Sequence, residues 1–463
     1  MCYKTNGSFI FLTKSIFVFL TCLLVIGCQH TKVTHANSDA PNIIAHSSTR
    51  NTSPTPVALL VKTPITDNTD ALNTPFVETH IGAAQLPKYL PLLKNKRVGL
   101  IVNQTSVLPP NHAGVRLHLV DALLEKGIHV QKVFAPEHGF RGNKGAGEKI
   151  TDNIDTATGL PILSLYGKTK KPPPKMLEDI DILVFDIQDV GVRFYTYIST
   201  MHYAMEAAAE NNIPFMVLDR PNPNGRFIAG PVLEREVQSF VGMHPIPVQH
   251  GLTVGELALM IKGEQWIAQA EALQLKVIPM QQYHKDMAYS LPVAPSPNLP
   301  NDNAIRMYAS LCLLEPTTVS IGRGTDYPFQ MLGHPGLSDY LPELAKQDKL
   351  DNITPISLPE SAPSPKWQDI DIPALTLTQT KMGNTLEGFN LTWVYQIYHA
   401  MTAQEKAFIT SESFFDKLAG TKRLREQLEA GVPLAEIEQS WEADLQTYKK
   451  IINPYLLYPA ASD

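Results

Sequence analysis

The chain has 463 residues, with 39 Lys and Arg against 45 Asp and Glu, a net charge of -6 and a pI near 6.2. Its basic residues are scattered rather than gathered into runs, which argues against a nucleic-acid-binding protein. Cysteine numbers only four, so the fold must rest on a hydrophobic core and not on a disulfide framework.

The N-terminus reads as a targeting device. Lys4 and Lys14 precede an apolar run, Ser15 to Ile26, that closes on Val25-Ile26-Gly27-Cys28. A short apolar region followed by a small residue and then Cys is the pattern of a bacterial lipoprotein signal, with Cys28 as the lipidated first residue. Residues 1–27 are therefore expected to be a signal peptide. Because residue 29 is Gln and not Asp, the expected destination in a cell with two membranes is the outer membrane, facing the periplasm. Cleavage removes Cys2 and Cys22 and lipidation consumes Cys28, which leaves Cys312 as the one thiol and forbids an internal disulfide. Residues 28–78 are rich in Ser, Thr, Asn and Pro without period and read as a flexible tether. No later apolar segment approaches the roughly 20 residues needed to span a bilayer, so the lipid is the one membrane contact expected.

From Arg97 on, short apolar runs alternate with amphipathic ones. Val98 to Val102 predicts a strand, and Val115 to Lys126 a helix with Leu117, Val120 and Leu124 on one face, stopped at Gly127. Val130 to Phe134, Pro161 to Leu165, Ile180 to Phe185 and Pro214 to Leu218 predict further strands. Ile198, Met201, Met205 and Ala208 keep helical spacing between the last two. Thr253-Val-Gly-Glu256 is a capping box that opens a helix ending at Gly263, and Lys276 to Pro279 predicts one more strand. The alternation predicts an α/β fold with a mainly parallel, Rossmann-like sheet covered by helices over residues 79–290. Prolines at Pro292 to Pro300 mark the shift to a smaller α/β domain, residues 291–463. It is expected to end in helices at 421–430 and 434–449, the latter with Leu434, Ile437, Trp441, Leu445 and Tyr448 on a core-facing stripe.

Chemistry concentrates directly after two of the strands. Phe134-Ala-Pro-Glu137-His138-Gly-Phe140-Arg141-Gly142 places an acid, an imidazole and a guanidinium in an otherwise apolar, Gly-rich loop. Asp186-Ile-Gln188-Asp189-Val-Gly191-Val-Arg193-Phe-Tyr195-Thr-Tyr197 follows the most hydrophobic strand. Small molecules bind at the carboxyl edge of such a sheet, so the two clusters are expected to face one cleft. An apolar loop desolvates a carboxyl as a general acid requires, which makes Glu137 the candidate acid. The alternatives at that position are a helix cap or a salt bridge to Arg141. A central-strand Asp is costly without a ligand, a metal or a helix N-terminus, which singles out Asp186 and Asp189. Arg141, Arg193 and Arg323 lie in aromatic or Gly-rich loops suited to holding a planar anion. Tyr166, Tyr195 and Tyr197 are suited either to stacking on a sugar or to core packing.

Other motifs fail. Gly142 to Lys149 lacks the Lys-Ser/Thr pair of a phosphate loop, no two histidines have zincin spacing, and there is no G-x-S-x-G elbow. Acid–base chemistry by carboxylates, without a metal or cofactor, is what remains.

The order of motifs resembles one family. Val102-Asn-Gln-Thr105, Ala135 to Gly142, Ser164-Leu-Tyr-Gly167 and Asp186 to Tyr197 are followed by Asp219-Arg-Pro-Asn-Pro-Asn-Gly225, Gly230-Pro-Val-Leu-Glu234 and His250 to Glu256. Pro295 to Pro300 and Ser320-Ile-Gly-Arg-Gly-Thr325 complete the set. From about residue 80 onward the chain is similar to the exo-β-N-acetylmuramidases of the NamZ family. It departs from the usual pattern at Arg226, where Gly is common. The resemblance implies a Rossmann-like domain, a smaller second domain and a cleft between them. It also implies removal of N-acetylmuramic acid from the non-reducing end of peptidoglycan fragments, with muropeptides or disaccharides of N-acetylmuramic acid and N-acetylglucosamine as substrates. On this reading Glu137 is the acid, Asp186 the second carboxylate and His138 the residue that orients Glu137. Arg141, Tyr166, Gln188, Asp189, Arg193, Tyr195, Asp219, Asn222, His250, Glu315 and Arg323 are expected to bind substrate. Two rival readings use the same residues: a non-catalytic muropeptide-binding lipoprotein, and a metal-dependent deacetylase or amidase with Asp186, Asp189 and His250 as ligands.

Overall fold

Strands β1 (Val98–Val102), β2 (Val130–Ala135), β4 (Pro161–Ser164), β5 (Ile182–Asp186), β6 (Phe215–Leu218) and β9 (Leu275–Ile278) run parallel in one sheet. A short strand β3 (Asn153–Ile154) pairs antiparallel at its edge, and the order is β3-β4-β2-β1-β5-β6-β9. The structure is a computed structural model that describes residues 80–140, 152–346, 349–377, 388–403 and 407–459. Cys28, the tether and Arg141 to Lys149 lie outside the described residues. Among the described residues no helix is long and apolar enough to cross a membrane.

All residues of β1 and β5 are buried. Such strands are near-continuous apolar runs because helices cover both faces of a parallel sheet. One face packs on the helix Leu119–Glu125 through Leu100, Val102, Leu123 and Val184. The other packs through Leu183, Phe185 and Val217 on the helices Tyr197–Glu210 and Val254–Gly263. The capping box opens the latter as expected, with Thr253 Oγ1 accepting from Glu256 N–H and Glu256 Oε2 accepting from Thr253 N–H. From β1 the chain builds outward through β2 and β4 on one side and through β5, β6 and β9 on the other. The β2 and β5 loops therefore flank the topological switch at β1, where open α/β sheets place ligands.

A two-stranded ribbon of β7 (Ile228–Ala229) and β8 (Gln249–His250) leads away from the sheet. Beyond the helix Asp302–Leu311 comes the smaller domain, with an antiparallel sheet of β10 (Met331–Gly333), β12 (Ile372–Thr376) and β11 (Leu350–Ile353) in that order. Its helices Thr392–Thr402, Glu412–Ala419 and Arg423–Glu429 join the same apolar core as the parallel sheet, through Ile397, Phe415 and Leu428.

The helix expected at 434–449 is two helices, Leu434–Gln439 and Glu442–Ile452. The break falls at Ser440, whose hydroxyl donates back to the Ile437 carbonyl at 2.6 Å, and at Trp441, whose ring packs 6.1 Å from Phe389. The apolar stripe is in the core, but the helix bends to keep it there.

Candidate active site

A cavity of about 470 Å³ opens at the carboxyl edge of the parallel sheet, where the two domains meet. Glu137 and His138 enter it from the loop after β2, and Tyr166 from the loop after β4. Phe194, Tyr195, Thr196 and Tyr197 enter from the loop after β5. The second domain adds Glu315, Arg323, Phe329, Phe414 and Leu418, and the connecting segment adds Ser296 and Asn298. The lining is largely aromatic and aliphatic with a few charged groups, the composition expected of a small-molecule site.

Glu137 is 8% exposed, and its Oε2 accepts from the Thr196 hydroxyl at 2.6 Å. His138 adopts a left-handed backbone, φ 68°, and is followed by Gly139 at φ 76°. A non-glycine residue there is strained, and such strain gathers at functional sites because the surrounding structure holds it in place. The turn aims both side chains into the cavity, and the His138 ring meets the Tyr197 ring edge-on at 6.4 Å. Tyr195 and Tyr197 pack edge-to-face at 4.8 Å, and Tyr195 continues onto Tyr308 at 5.7 Å. Burial pushes both hydroxyls above the ordinary tyrosine range, so they are neutral at physiological pH. The Tyr197 hydroxyl donates to the Pro295 carbonyl at 2.8 Å, which ties the loop after β5 to the proline-rich motif whose Ser296, Asn298 and Leu299 line the cavity.

Across the cavity Arg323 donates from Nε and Nη2 to Glu315 Oε1 at 2.8 and 2.5 Å. Burial pulls its guanidinium down and Glu315 more than reverses the effect, so Arg323 stays a cation. Glu137 and Glu315 are the carboxylates that share the lining.

The residues expected in one cleft divide into two groups. Glu137, His138, Tyr166, Tyr195, Glu315 and Arg323 line the cavity, whereas Asp186, Gln188, Asp189, Arg193, Asp219, Asn222 and His250 do not. Asp186, expected as the second carboxylate, lies outside the lining. Its carboxylate is fully buried and gripped by Arg220, Nε to Oδ1 at 2.6 Å and Nη2 to Oδ2 at 2.8 Å. The strand-end Asp is thus compensated by a bidentate ion pair with Arg220, which also does not line the cavity.

Arg193 likewise lies outside the lining. Its guanidinium donates to the carbonyls of Pro231 and Ile246 in the first domain and of Leu418 and Ala419 in the second. Burial pulls it down to about 9, still a cation at neutral pH, but its donors face backbone and not the cavity. Asp219 accepts from Arg220 N–H, Gly255 N–H, Thr253 Oγ1 and the Tyr458 hydroxyl. Gln188 Nε2 donates to the Asp189 and Pro221 carbonyls. Asn222 donates to the Leu252 carbonyl and fills the space beside Gly191, where a Cβ would lie 2.0 Å from its Oδ1. His250 Nδ1 accepts from Leu252 N–H, and burial pushes the ring down to about 3. Asp189 Oδ2 accepts from Gly191 N–H at 2.7 Å, and burial raises its carboxyl to about 7. Asp186, Asp189 and His250 do not converge, and among the described residues no three His, Cys, Asp or Glu side chains are grouped to hold a metal ion.

Sequence reasoning missed Thr196, Ser296, Phe329 and Phe414 as lining residues. Thr196 and Ser296 lie inside the Asp186–Tyr197 and Pro295–Pro300 motifs but carry no charge, and Phe329 and Phe414 have no local signal at all.

Comparison with known proteins agrees with this architecture. Residues 98–303 match the family described as "Exo-beta-N-acetylmuramidase NamZ, N-terminal", and residues 306–458 match its C-terminal counterpart. The chain is 42% identical over 397 residues to the peptidoglycan beta-N-acetylmuramidase NamZ of Bacillus subtilis strain 168, covering 83% of this chain and 92% of that protein. Crystal structures of two DUF1343 family proteins from Bacteroides fragilis are similar, at 40% identity with TM-score 0.72 and 31% with TM-score 0.71. Each covers 83% of this chain and all of the other. With both halves of the globular region matched in order, the chain belongs to the NamZ exo-β-N-acetylmuramidase family.

Proposed function

We propose that the protein is an exo-acting glycoside hydrolase that releases N-acetylmuramic acid from the non-reducing end of peptidoglycan fragments. The observation that carries the reading is a buried carboxyl, Glu137, held by a hydroxyl in an aromatic cavity that a second carboxylate, Glu315, also lines. Cleavage of a glycosidic bond ordinarily uses two carboxyl groups around an oxocarbenium-like transition state. Glu137 protonates the departing glycosidic oxygen. Glu315, held by Arg323, takes the second role and stabilises the developing positive charge or activates water. The relative's named activity supports the substrate class, and the cavity's size suits one sugar with its substituents. Arg323, a cation on the lining, receives the lactyl carboxylate that distinguishes muramic from glucosamine sugars.

The chain is further proposed to be exported and anchored to the envelope through Cys28, a reading supported by the Val25-Ile-Gly-Cys28 lipobox. Cys28→Ser is expected to lose radiolabelled palmitate incorporation; a variant that still takes up the label contradicts it.

The deciding assay is release of free N-acetylmuramic acid from a synthetic muramyl glycoside. Glu137→Gln should lower turnover by ~10²–10⁴ while sugar binding and folding persist. Activity within a few-fold of wild type removes Glu137 from the mechanism. Binding of muropeptides without any release of sugar replaces the hydrolase with a binding lipoprotein.

A further inference from the structure

Glu137 and Tyr166 rise side by side from neighbouring strands. In the parallel pair of β2 and β4, Ala135 lies opposite Ser164, and Leu165 N–H donates to the Ala135 carbonyl at 2.8 Å. Glu137 and Tyr166 each stand two residues beyond that register, and both line the cavity. Phe240 is brought to the same place by a separate contact. At the start of the helix Tyr197–Glu210 the Thr196 hydroxyl donates to Glu137 Oε2 at 2.6 Å, and three residues on the Ser199 hydroxyl donates to the Phe240 carbonyl at 2.7 Å. Residues three apart share one face of a helix, so Phe240 is fastened on the side of the cavity where Glu137 is held.

The Phe240 ring lies 6.2 Å from that of Tyr166 and 6.3 Å from that of Tyr203, nearly parallel to the latter at 13°. Lys170 Nζ stands 4.3 Å from the Phe240 ring centroid. Tyr166 and Phe240 line the cavity and Tyr203 does not, so the row of rings begins inside it and continues past its lining. The three rings and Lys170 are half-buried and reach solvent. Aromatic faces for the C–H side of a pyranose, with an ammonium donor for its hydroxyls or acetamide, are what an amino sugar is recognised by.

We propose that Tyr166 and Phe240, with Lys170, form the subsite for the sugar on the leaving side of the scissile bond, an N-acetylhexosamine whose chain extends along Tyr203. The inference rests on the reading of Glu137 as proton donor to the departing oxygen. A general acid must lie within hydrogen-bond reach of the atom it protonates, so the leaving sugar lies against whatever flanks Glu137. Strand register and the Ser199 contact make those flanks Tyr166 and Phe240.

Phe240→Ala removes the ring and keeps the carbonyl that Ser199 holds. Two substrates separate its effects: the disaccharide of N-acetylmuramic acid β-linked to N-acetylglucosamine, and the methyl β-glycoside of N-acetylmuramic acid, which carries no leaving sugar. The variant should lower kcat/KM for the disaccharide about tenfold and leave the methyl glycoside within about twofold of wild type. Phe240→Trp should restore the disaccharide. Lys170→Met should lower kcat/KM for the disaccharide about fivefold with the same selectivity, and this half-buried position decides by that ratio if Phe240→Ala does not fold. Equal slowing of both substrates, or a disaccharide rate that does not change, overturns the proposal.

Binding without turnover tests the subsite apart from the glycosidase reading. Calorimetric titration of Glu137→Gln protein should show the disaccharide binding more tightly than N-acetylmuramic acid alone, and adding Phe240→Ala or Lys170→Met should shrink that advantage. A disaccharide that binds no more tightly, or an advantage that survives both substitutions, overturns the proposal whatever the reaction. If the advantage depends on these residues but the wild type releases no sugar, the subsite stands and the hydrolase reading falls.

Discussion

A Cβ atom on Gly420 would lie 2.3 Å from Arg193 Nη2. The glycine that ends the helix Glu412–Ala419 and the arginine of the β5 loop therefore fill one volume between them, at the joint where the two domains meet. Gly420 also sits at φ 80°, which disfavours any side chain there. Gly420→Ala is expected to cost roughly 2–4 kcal/mol through backbone strain and overpacking. Phe414 and Leu418 lie on the same helix and line the cavity, so KM for the muramyl substrate should rise as well. Urea unfolding and steady-state kinetics on the purified variant check both parts.

Asp186 is expected to matter for folding and not for the reaction. Asp186→Asn leaves Arg220 buried without its counter-charge, and breaking a buried pair from one side costs about 3–5 kcal/mol. The folded fraction should keep kcat within a few-fold of wild type. A variant of unchanged stability with turnover reduced a hundredfold or more would return Asp186 to the chemistry.

Asp189 predicts a pH dependence of stability. Its folded pKa of about 7 stands above the ordinary 3.8, because burial penalises the anion and Oδ1 has no hydrogen-bond partner among the described residues. Between those values the folded chain holds a proton that the unfolded chain has released. This residue therefore makes stability fall as pH rises from about 4 to 7, and it contributes no further slope above that. Asp189→Asn, which has no such titration, should gain ~2–3 kcal/mol relative to wild type between pH 5 and pH 8. Denaturant unfolding of both proteins at the two pH values measures the difference, and parallel behaviour would show that the carboxyl is ionised in the fold.

Arg323 is the arginine among the described candidates that reaches the cavity. If it receives the lactyl carboxylate, Arg323→Ala loses a charge-assisted contact of roughly 1.5–3 kcal/mol. The preference for muramyl over glucosaminyl substrate, taken as the ratio of kcat/KM, should then narrow about tenfold or more. An unchanged ratio with both sugars slowed equally would mean that Arg323 serves only to hold Glu315.

The parts of the fold that were legible in sequence are those set by local pattern. β1, β5 and β6 are buried apolar runs, and the helix Val254–Gly263 announces itself through Thr253 and Glu256. The parts that were not legible depend on distant partners or on context. The helix Leu86–Leu93 carries prolines at Pro87 and Pro91, which hide its pattern. Asp186 resembles a catalytic acid until Arg220, 34 positions away, is seen beside it. Arg193 resembles an anion receptor until its acceptors prove to be carbonyls, two of them more than 200 positions along the chain. A charged residue in a loop motif announces that its charge is needed, but whether substrate or scaffold needs it is decided by residues the motif does not contain. Glu137 differed because the apolar character of its surroundings was already written in its immediate neighbours.

The grip of Tyr458 on Asp219 has a consequence for biosynthesis. The two residues are separated by 239 positions, and Tyr458 N–H and Leu457 N–H also donate to the buried Glu256. At a synthesis rate of ~5–20 residues per second, Asp219 and Glu256 wait on the order of ten seconds or more before these partners exist. During that interval Asp219, directly after β6, and Glu256, in the helix Val254–Gly263, lack part of their final support, so this region matures only when the segment of Leu457 and Tyr458 returns to it. The first family region, expressed by itself, should then be an incomplete folding unit despite holding most of the sheet.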